Sequence, residues 1–361
     1  MLNDRIVVAG AGIVGASIAY HLAKRGARVT VVEASQPGAG ATGKSFGWIN
    51  ATFSKSPRSY FELNRLAIAG WRRLEQELNG ELQVQWGGSA AWFPPGDEAD
   101  AFRQSIERHR EWGYSATLID ERELRRLLPA VVPGEIGVAV WSEEEGAADP
   151  LQAANALLKK ARQFGAEVLW PCEVTALDCA DRLLHGIETT QGAMDAGALV
   201  LACGVDIPRL AEMAGVRVSL KDSPGVLIHT VPQPRLIDPV VLAPGAHFKQ
   251  EWDGRIVAGG QIVAGVGTST ADARVDQAGQ ILRQVQRYVP ELRDAEIERV
   301  TLGYRVMPQD EFPKIGFSRG CSNLYVAAMH SGVTLAPLIG ELAAAEILDG
   351  VRAGWLEGYR I

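Results

Sequence analysis

Residues 5–33 read Arg5-Ile-Val-Val-Ala-Gly10-Ala-Gly-Ile-Val-Gly15-Ala-Ser-Ile-Ala-Tyr20-His-Leu-Ala-Lys-Arg25-Gly-Ala-Arg-Val-Thr30-Val-Val-Glu33. Arg5–Ala9 is a short apolar run of the kind buried on both faces of a parallel sheet. Glycines spaced G-x-G-x-x-G follow, then helical apolar spacing to Arg25, then a β-branched run closing on an acid. Strand, glycine turn, helix and strand within about thirty residues are the context in which this spacing marks a dinucleotide site. Gly10 permits the tight turn, Gly12 lets backbone approach a pyrophosphate, and Gly15 allows close helix–strand packing. The helix start, over Gly10, Ala11, Gly12, Ile13, Val14 and Gly15, offers unpaired N–H groups and partial positive charge to the anion. Glu33, with Ala34 beside it, ends the second strand where a carboxylate can accept from ribose hydroxyls. The motif alone does not separate NAD from FAD.

The whole chain has 361 residues, which at roughly 150 per domain suggests about two. Lys and Arg total 36 against 43 Asp and Glu, a net charge of −7, with 47% hydrophobic residues. That composition belongs to a folded globular protein and excludes disorder. The acidic balance and the lack of a basic run argue against nucleic acid. No apolar stretch approaches the ~20 residues of a membrane span. Four cysteines, Cys172, Cys179, Cys203 and Cys321, form no CxxC pair, so inert thiols and no metal site are expected. No charged leader precedes the first strand, and the expectation is a reducing, cytoplasmic setting.

Further along, residues 58–79 carry the spacing of an amphipathic helix. Asp149-Pro150 opens a second helix over Leu151–Phe164, with Gly165 closing it. Ala198–Gly204 reads as another buried strand, and Asp253-Gly254 as a hairpin turn before a helix near Ala278–Tyr288. The end of the chain returns to the first pattern, with the strand Leu324–Met329 and a long apolar helix over Ala336–Leu348. The expected fold is α/β: a Rossmann-like dinucleotide domain from 1–83, 141–215 and 304–361. A substrate domain from 84–140 and 216–303, built on a mixed, mostly antiparallel sheet, is inserted into it.

Five stretches together resemble the FAD-dependent D-amino-acid-oxidase-type family, the group that includes glycine oxidase and sarcosine oxidase. They are Gly10–Glu33, the small-residue loop Ala41–Asn50, Ala202-Cys-Gly204, Gly303–Gly316 and Leu324–Pro337. The resemblance runs from residue 5 to about 348 and implies non-covalent FAD. Ala41, Thr42, Lys44, Ser45, Gly47 and Trp48 would line the flavin and pyrophosphate. Val174 would hold adenine, and Ala202 and Gly204 would close the site. Ser331, Gly332, Val333, Thr334 and Leu335 would open the last helix toward the flavin pyrimidine. Ser331 and Thr334 also fit simple helix capping.

Within the family pattern Arg305 would anchor a substrate carboxylate and border the cofactor, since a guanidinium makes a planar two-point contact. The other reading of Arg305 is a structural ion pair with Asp310 or another carboxylate. His330, Tyr304 and His247 are the remaining catalytic candidates, and Lys249 is a possible substrate-facing neighbour of His247. Gly303 stands where covalently flavinylated relatives carry cysteine, and the lysine those enzymes direct at oxygen is absent near Val257. The implied activity is oxidation of a carboxylate-bearing amino acid or secondary amine by hydride transfer to flavin N5, giving an imine. Oxidation of a 2-hydroxy acid is the first alternative. The second is the FAD subunit of a multi-component dehydrogenase. The electron acceptor would be O₂ or a partner protein, and homo- or hetero-oligomers are both compatible.

Overall fold

The computed structural model describes residues 5–52, 55–260 and 271–361. Ile6–Ala9 lies inside a six-stranded sheet, between Ala198–Leu201 and Val29–Val32, and is parallel to both. Glu167–Leu169 flanks one side, Leu324–Ala328 the other, and Lys314–Phe317 closes that edge antiparallel. Alternate residues serve opposite cores, as the period of a strand requires. Ile6 and Val8 face the helices Ile13–Lys24, Pro150–Gln163 and Gly332–Asp349, and Val7 and Ala9 face the other side. On that other side a meander of Val174–Ala180, Leu183–Thr189 and Gly192–Asp195 covers the sheet.

A second sheet has eight strands in the order Ile297–Tyr304, Pro224–Thr230, Ile256–Gly260, Ala246–Gln250, Val240–Ala243, Ser89–Phe93, Val138–Ser142 and Ala116–Ile119. Val240–Ala243 and Ser89–Phe93 pair parallel, and all other neighbours are antiparallel. The α/β class and the mixed, mostly antiparallel second sheet agree with the sequence. The helix before Tyr288 begins earlier than its apolar spacing indicates, at Ala271. The last helix begins at Gly332, ahead of its long apolar run but where the resemblance implies, because Pro337 does not break it.

The reason is local chemistry. Proline has no N–H, so Pro337 leaves the carbonyl of Val333 without its helical donor. The indole N–H of fully buried Trp71, on the helix Arg58–Glu77, donates to that carbonyl at 3.0 Å and to Thr334 O at 3.1 Å. Asp149 caps Pro150–Gln163 by accepting from Leu151 N and Gln152 N, as its position before a proline predicts.

The last helix packs on the first across Gly340. A Cβ at that position would stand 2.2 Å from Ser17 Oγ and 2.7 Å from His21 Cδ2. Gly340→Ala is therefore expected to lower stability by about 1–3 kcal/mol, the usual cost of overpacking. Thermal unfolding checks this; an unchanged midpoint would show that the two helices separate without cost.

Candidate active site

The glycine turn is shaped by what surrounds it. Gly10 has φ of +104°, and a Cβ there would sit 2.5 Å from Ala202 O. A Cβ on Gly15 would lie 2.0 Å from Gly10 O, so helix and strand meet only without a side chain. Gly12 caps the helix Ile13–Lys24 without a side-chain acceptor of its own; Thr42 Oγ1 from the following loop accepts from Ile13 N at 3.0 Å. Glu33 accepts from Ala11 N and Ser35 N, each at 2.9 Å, which fixes its carboxylate beside the turn.

These groups open into a cavity of about 770 Å³, within the range of small-molecule sites. Of the residues expected at a cofactor, Gly10, Gly12, Ile13, Val14, Glu33 and Ala34 line it. So do Ala41, Thr42, Lys44, Ser45, Gly47, Trp48, Val174, Ala202 and Gly204. Gly332, Val333 and Thr334 close one side of the same space. Ala11, Gly15 and Leu335 do not line it: Ala11 and Leu335 are wholly buried in the core, and Gly15 is spent on packing.

The start of the last helix differs from simple capping. Ser331 takes φ of +56°, and its side chain makes no cap. Its hydroxyl instead accepts from Lys55 Nζ at 2.6 Å and Tyr60 OH at 3.0 Å. Thr334 Oγ1 donates to Trp48 O at 3.1 Å and accepts from Asn50 N at 3.3 Å, tying the helix to the loop. The first N–H groups of an 18-residue helix at the cavity wall thus receive no side-chain cap from Ser331.

Arg305, His330, His247 and Tyr304 are brought to the same cavity. Arg305 Nη1 donates to Pro224 O at 2.9 Å, and its guanidinium lies over Gly225, where a Cβ would come within 2.7 Å of Nη2. Asp310 is occupied elsewhere, by Lys314 Nζ at 2.6 Å, so the ion-pair reading of Arg305 is not met. Burial lowers the Arg305 pKa. His247 meets the Phe46 ring edge-on at 4.7 Å, and Gly259 on the next strand leaves room for its ring. Tyr304 is 47% exposed and forms the rim. Lys249 does not reach the cavity: fully buried, it donates to Ala148 O and pairs with Glu251, both at 2.9 Å.

Sequence reasoning missed Lys55, Tyr60 and Phe312, which also line the space, as does Phe46 of the loop expected at the flavin. Lys55 stands in a loop without periodicity or motif, so no local signal marks it. Burial pushes its pKa down to about 8, against the field of Glu145. Among the described residues, no group of three or more His, Cys, Asp or Glu gathers to hold a metal, and no helix is long and apolar enough to cross a membrane.

A family model described as FAD dependent oxidoreductase (DAO) matches residues 5–346. The chain belongs to that family. It is 27% identical to the glycine oxidase of Geobacillus kaustophilus, covering 94% of this chain and 91% of the relative. It is 25% identical to mitochondrial dimethylglycine dehydrogenase of Mus musculus, over 95% of this chain but 42% of that protein. The chain thus spans less than half the length of the dimethylglycine dehydrogenases it matches. Among solved structures, L-proline dehydrogenase from P. horikoshii superposes with a TM-score of 0.88 at 27% identity, covering 99% of this chain and 96% of the other.

FAD is the family's cofactor, and the residues present fit it. The Cβ-excluding turn at Gly10, the fixed Glu33 carboxylate and the uncapped helix start at Gly332 stand along one continuous wall.

Burial dominates the titration of four of this flavoprotein's histidines. His21, His229, His247 and His330 are each pushed down to about 4 from 6.5, burial being the largest cause. Such groups bind fewer protons folded than unfolded between those values. Stability is therefore full above about pH 6.5 and is lost as pH falls toward 4. Thermal melts from pH 7 to 4.5 should show a steady fall in midpoint; a flat profile would contradict the neutral, buried histidines.

Proposed function

We propose that this protein oxidises an amino acid or secondary amine bearing a carboxylate. The observation that carries this reading is Arg305, a half-buried guanidinium at the cavity with no carboxylate partner among the described residues. A desolvated guanidinium without a counter-ion is suited to hold a ligand carboxylate by charge-assisted hydrogen bonds. The names of the relatives agree in chemistry: glycine, dimethylglycine and L-proline each carry a carboxylate and an α-nitrogen.

The chemistry that FAD supplies when bound is acceptance of hydride at N5, which leaves the substrate as an imine. Arg305 would orient the carboxylate and so fix the α C–H. Pro224 O and the bare Gly225 backbone would set the plane of the guanidinium. Phe46, Tyr60 and Phe312 would exclude water from the reacting carbon. FAD would be held without a covalent bond at Gly303, where a Cβ would already stand 3.0 Å from Lys44 Cβ and 3.1 Å from Lys44 O. In this reading the six-stranded sheet carries the cofactor, and 84–140 with 216–303 form the substrate domain.

His330 and His247 bear on the alternative of a 2-hydroxy acid. An alcohol must lose its proton as hydride leaves, and that needs a base titrating near the working pH. Both histidines are held down to about 4, too weak for the task near neutrality, whereas an amine can use its own lone pair.

Anaerobic bleaching of the flavin by amino acids, N-methyl amino acids and 2-hydroxy acids tests the assignment. Amines should bleach it, and Arg305→Ala should reduce the apparent second-order rate constant by roughly tenfold or more, about 1.4 kcal/mol. Bleaching by hydroxy acids alone would overturn the amine reading. Return of the yellow colour on admitting air would identify O₂ as an acceptor, and persistent bleaching a partner protein. Gly225→Ala should raise KM several-fold with a smaller change in kcat, because it displaces the guanidinium; equal loss in both would place Gly225 outside carboxylate binding.

A further inference from the structure

The cavity wall holds a second cation that the reaction above leaves unused. Lys55 is 5% exposed, and its Nζ donates to Ser331 Oγ at 2.6 Å. The ammonium lies 5.1 Å from the centre of the Tyr60 ring, and Tyr60 stands edge-on to Phe312 at 5.6 Å. Ser331 satisfies one of the three donors an ammonium carries. The carboxylate whose field reaches Lys55, Glu145, gives its oxygens to Trp48 Nε1, Ala51 N, Thr52 N, Ser89 Oγ and Tyr114 OH. Lys55 forms no ion pair of its own among the described residues.

A buried charge without a counter-ion is costly, so a ligand that supplied the missing partner would be held there. Lys55 borders the same cavity as Arg305, and His330 feels the field of both. Near His330 the cavity therefore presents two cations, Arg305 and Lys55, with aromatic rings beside Lys55 to strip water from whatever binds there.

We propose that Lys55 is a second anion anchor and that the substrate carries two carboxylates, one for Arg305 and one for Lys55. This rests on the reading of Arg305 given above. The Ser331 and Tyr60 hydroxyls would steady the ammonium, so that the second carboxylate meets a charge already in place.

The test is binding of unreactive probes to the holoenzyme, read from the flavin absorbance. Thiodiglycolate, or its homologue one carbon longer, presents two carboxylates flanking a thioether, and (methylthio)acetate presents one. The dicarboxylate should bind about tenfold more tightly or better, and Lys55→Met and Lys55→Gln should each bring the ratio of dissociation constants close to one. Lys55→Arg, which keeps the charge, should restore most of the preference. Arg305→Ala should weaken both probes.

A ratio near one in the unaltered protein, or a ratio unchanged in both Lys55 variants, overturns the proposal for Lys55. Weakening of both probes by Arg305→Ala would still stand behind the carboxylate reading in that case. If Arg305→Ala leaves both probes unaffected, that reading fails, and the dicarboxylate proposal fails with it.

Discussion

A single buried carboxylate ties the small-residue loop to the eight-stranded sheet. Glu145 is wholly buried, and burial raises its pKa while its donors pull the other way. Trp48 Nε1 and Ser89 Oγ reach one oxygen at 3.0 and 2.6 Å. Ala51 N, Thr52 N and Tyr114 OH reach the other at 3.0, 2.8 and 3.1 Å. Ser89 begins a strand of the eight-stranded sheet, and Trp48 leads from the small-residue loop into the cavity wall. Donors to one residue therefore fix the position of the loop relative to the second sheet. Removing the carboxylate would leave several buried donors unpaired at once, so its loss would exceed any single hydrogen bond. Ala51 and Thr52, and Trp48, whose carbonyl receives the Thr334 hydroxyl, all hang from this point.

Elsewhere the site depends on side chains that are missing. Gly10 and Gly15 allow the first turn to nest under Ala202, and Gly340 allows the last helix to lie against Ser17. Gly225 and Gly259 make room for the Arg305 guanidinium and the His247 ring. These last two positions belong to strands whose neighbours are ordinary apolar residues, so the glycines interrupt an otherwise regular pattern. A glycine within a strand marks a close approach, here of His247 from the adjacent strand and of Arg305 just past the end of its neighbour. The cost in backbone entropy is accepted where a Cβ would expel the residue that the cavity needs.

How much of this was legible follows from the range of each interaction. The first strand, turn and helix could be read because their signals are local: an apolar run, three glycines and helical spacing within one stretch. The helix start at Asp149 could be read for the same reason, since a cap and its helix are neighbours in sequence. Pro337 inside a helix could not, because the donor that compensates for it is Trp71, more than two hundred residues away in the chain. The Ser331 hydroxyl likewise answers to Lys55 and Tyr60 rather than to its own helix. Lys249 illustrates the converse error. Alternation along Ala246–Gln250 does not say what covers each face, and Ala148 and Glu251 claim the ammonium before it reaches the cavity.

The charges around the cavity make a coherent requirement for the proposed chemistry. Arg305 and Lys55 are cations, and His330 is kept neutral by burial and by both of them. A substrate ammonium would be repelled by such a field, whereas the neutral amine, the form with a lone pair to drive hydride departure, would not. A substrate carboxylate would have the opposite response and would be drawn to Arg305. As hydride leaves, positive charge grows on the substrate nitrogen, and the same cations then oppose it. The compensation available within the proposed substrate would be its own carboxylate, which shares the α-carbon with that nitrogen and would be oriented by Arg305. A second carboxylate on Lys55 would add to this screening, so anchoring the anions and stabilising the developing cation would be the same electrostatic act.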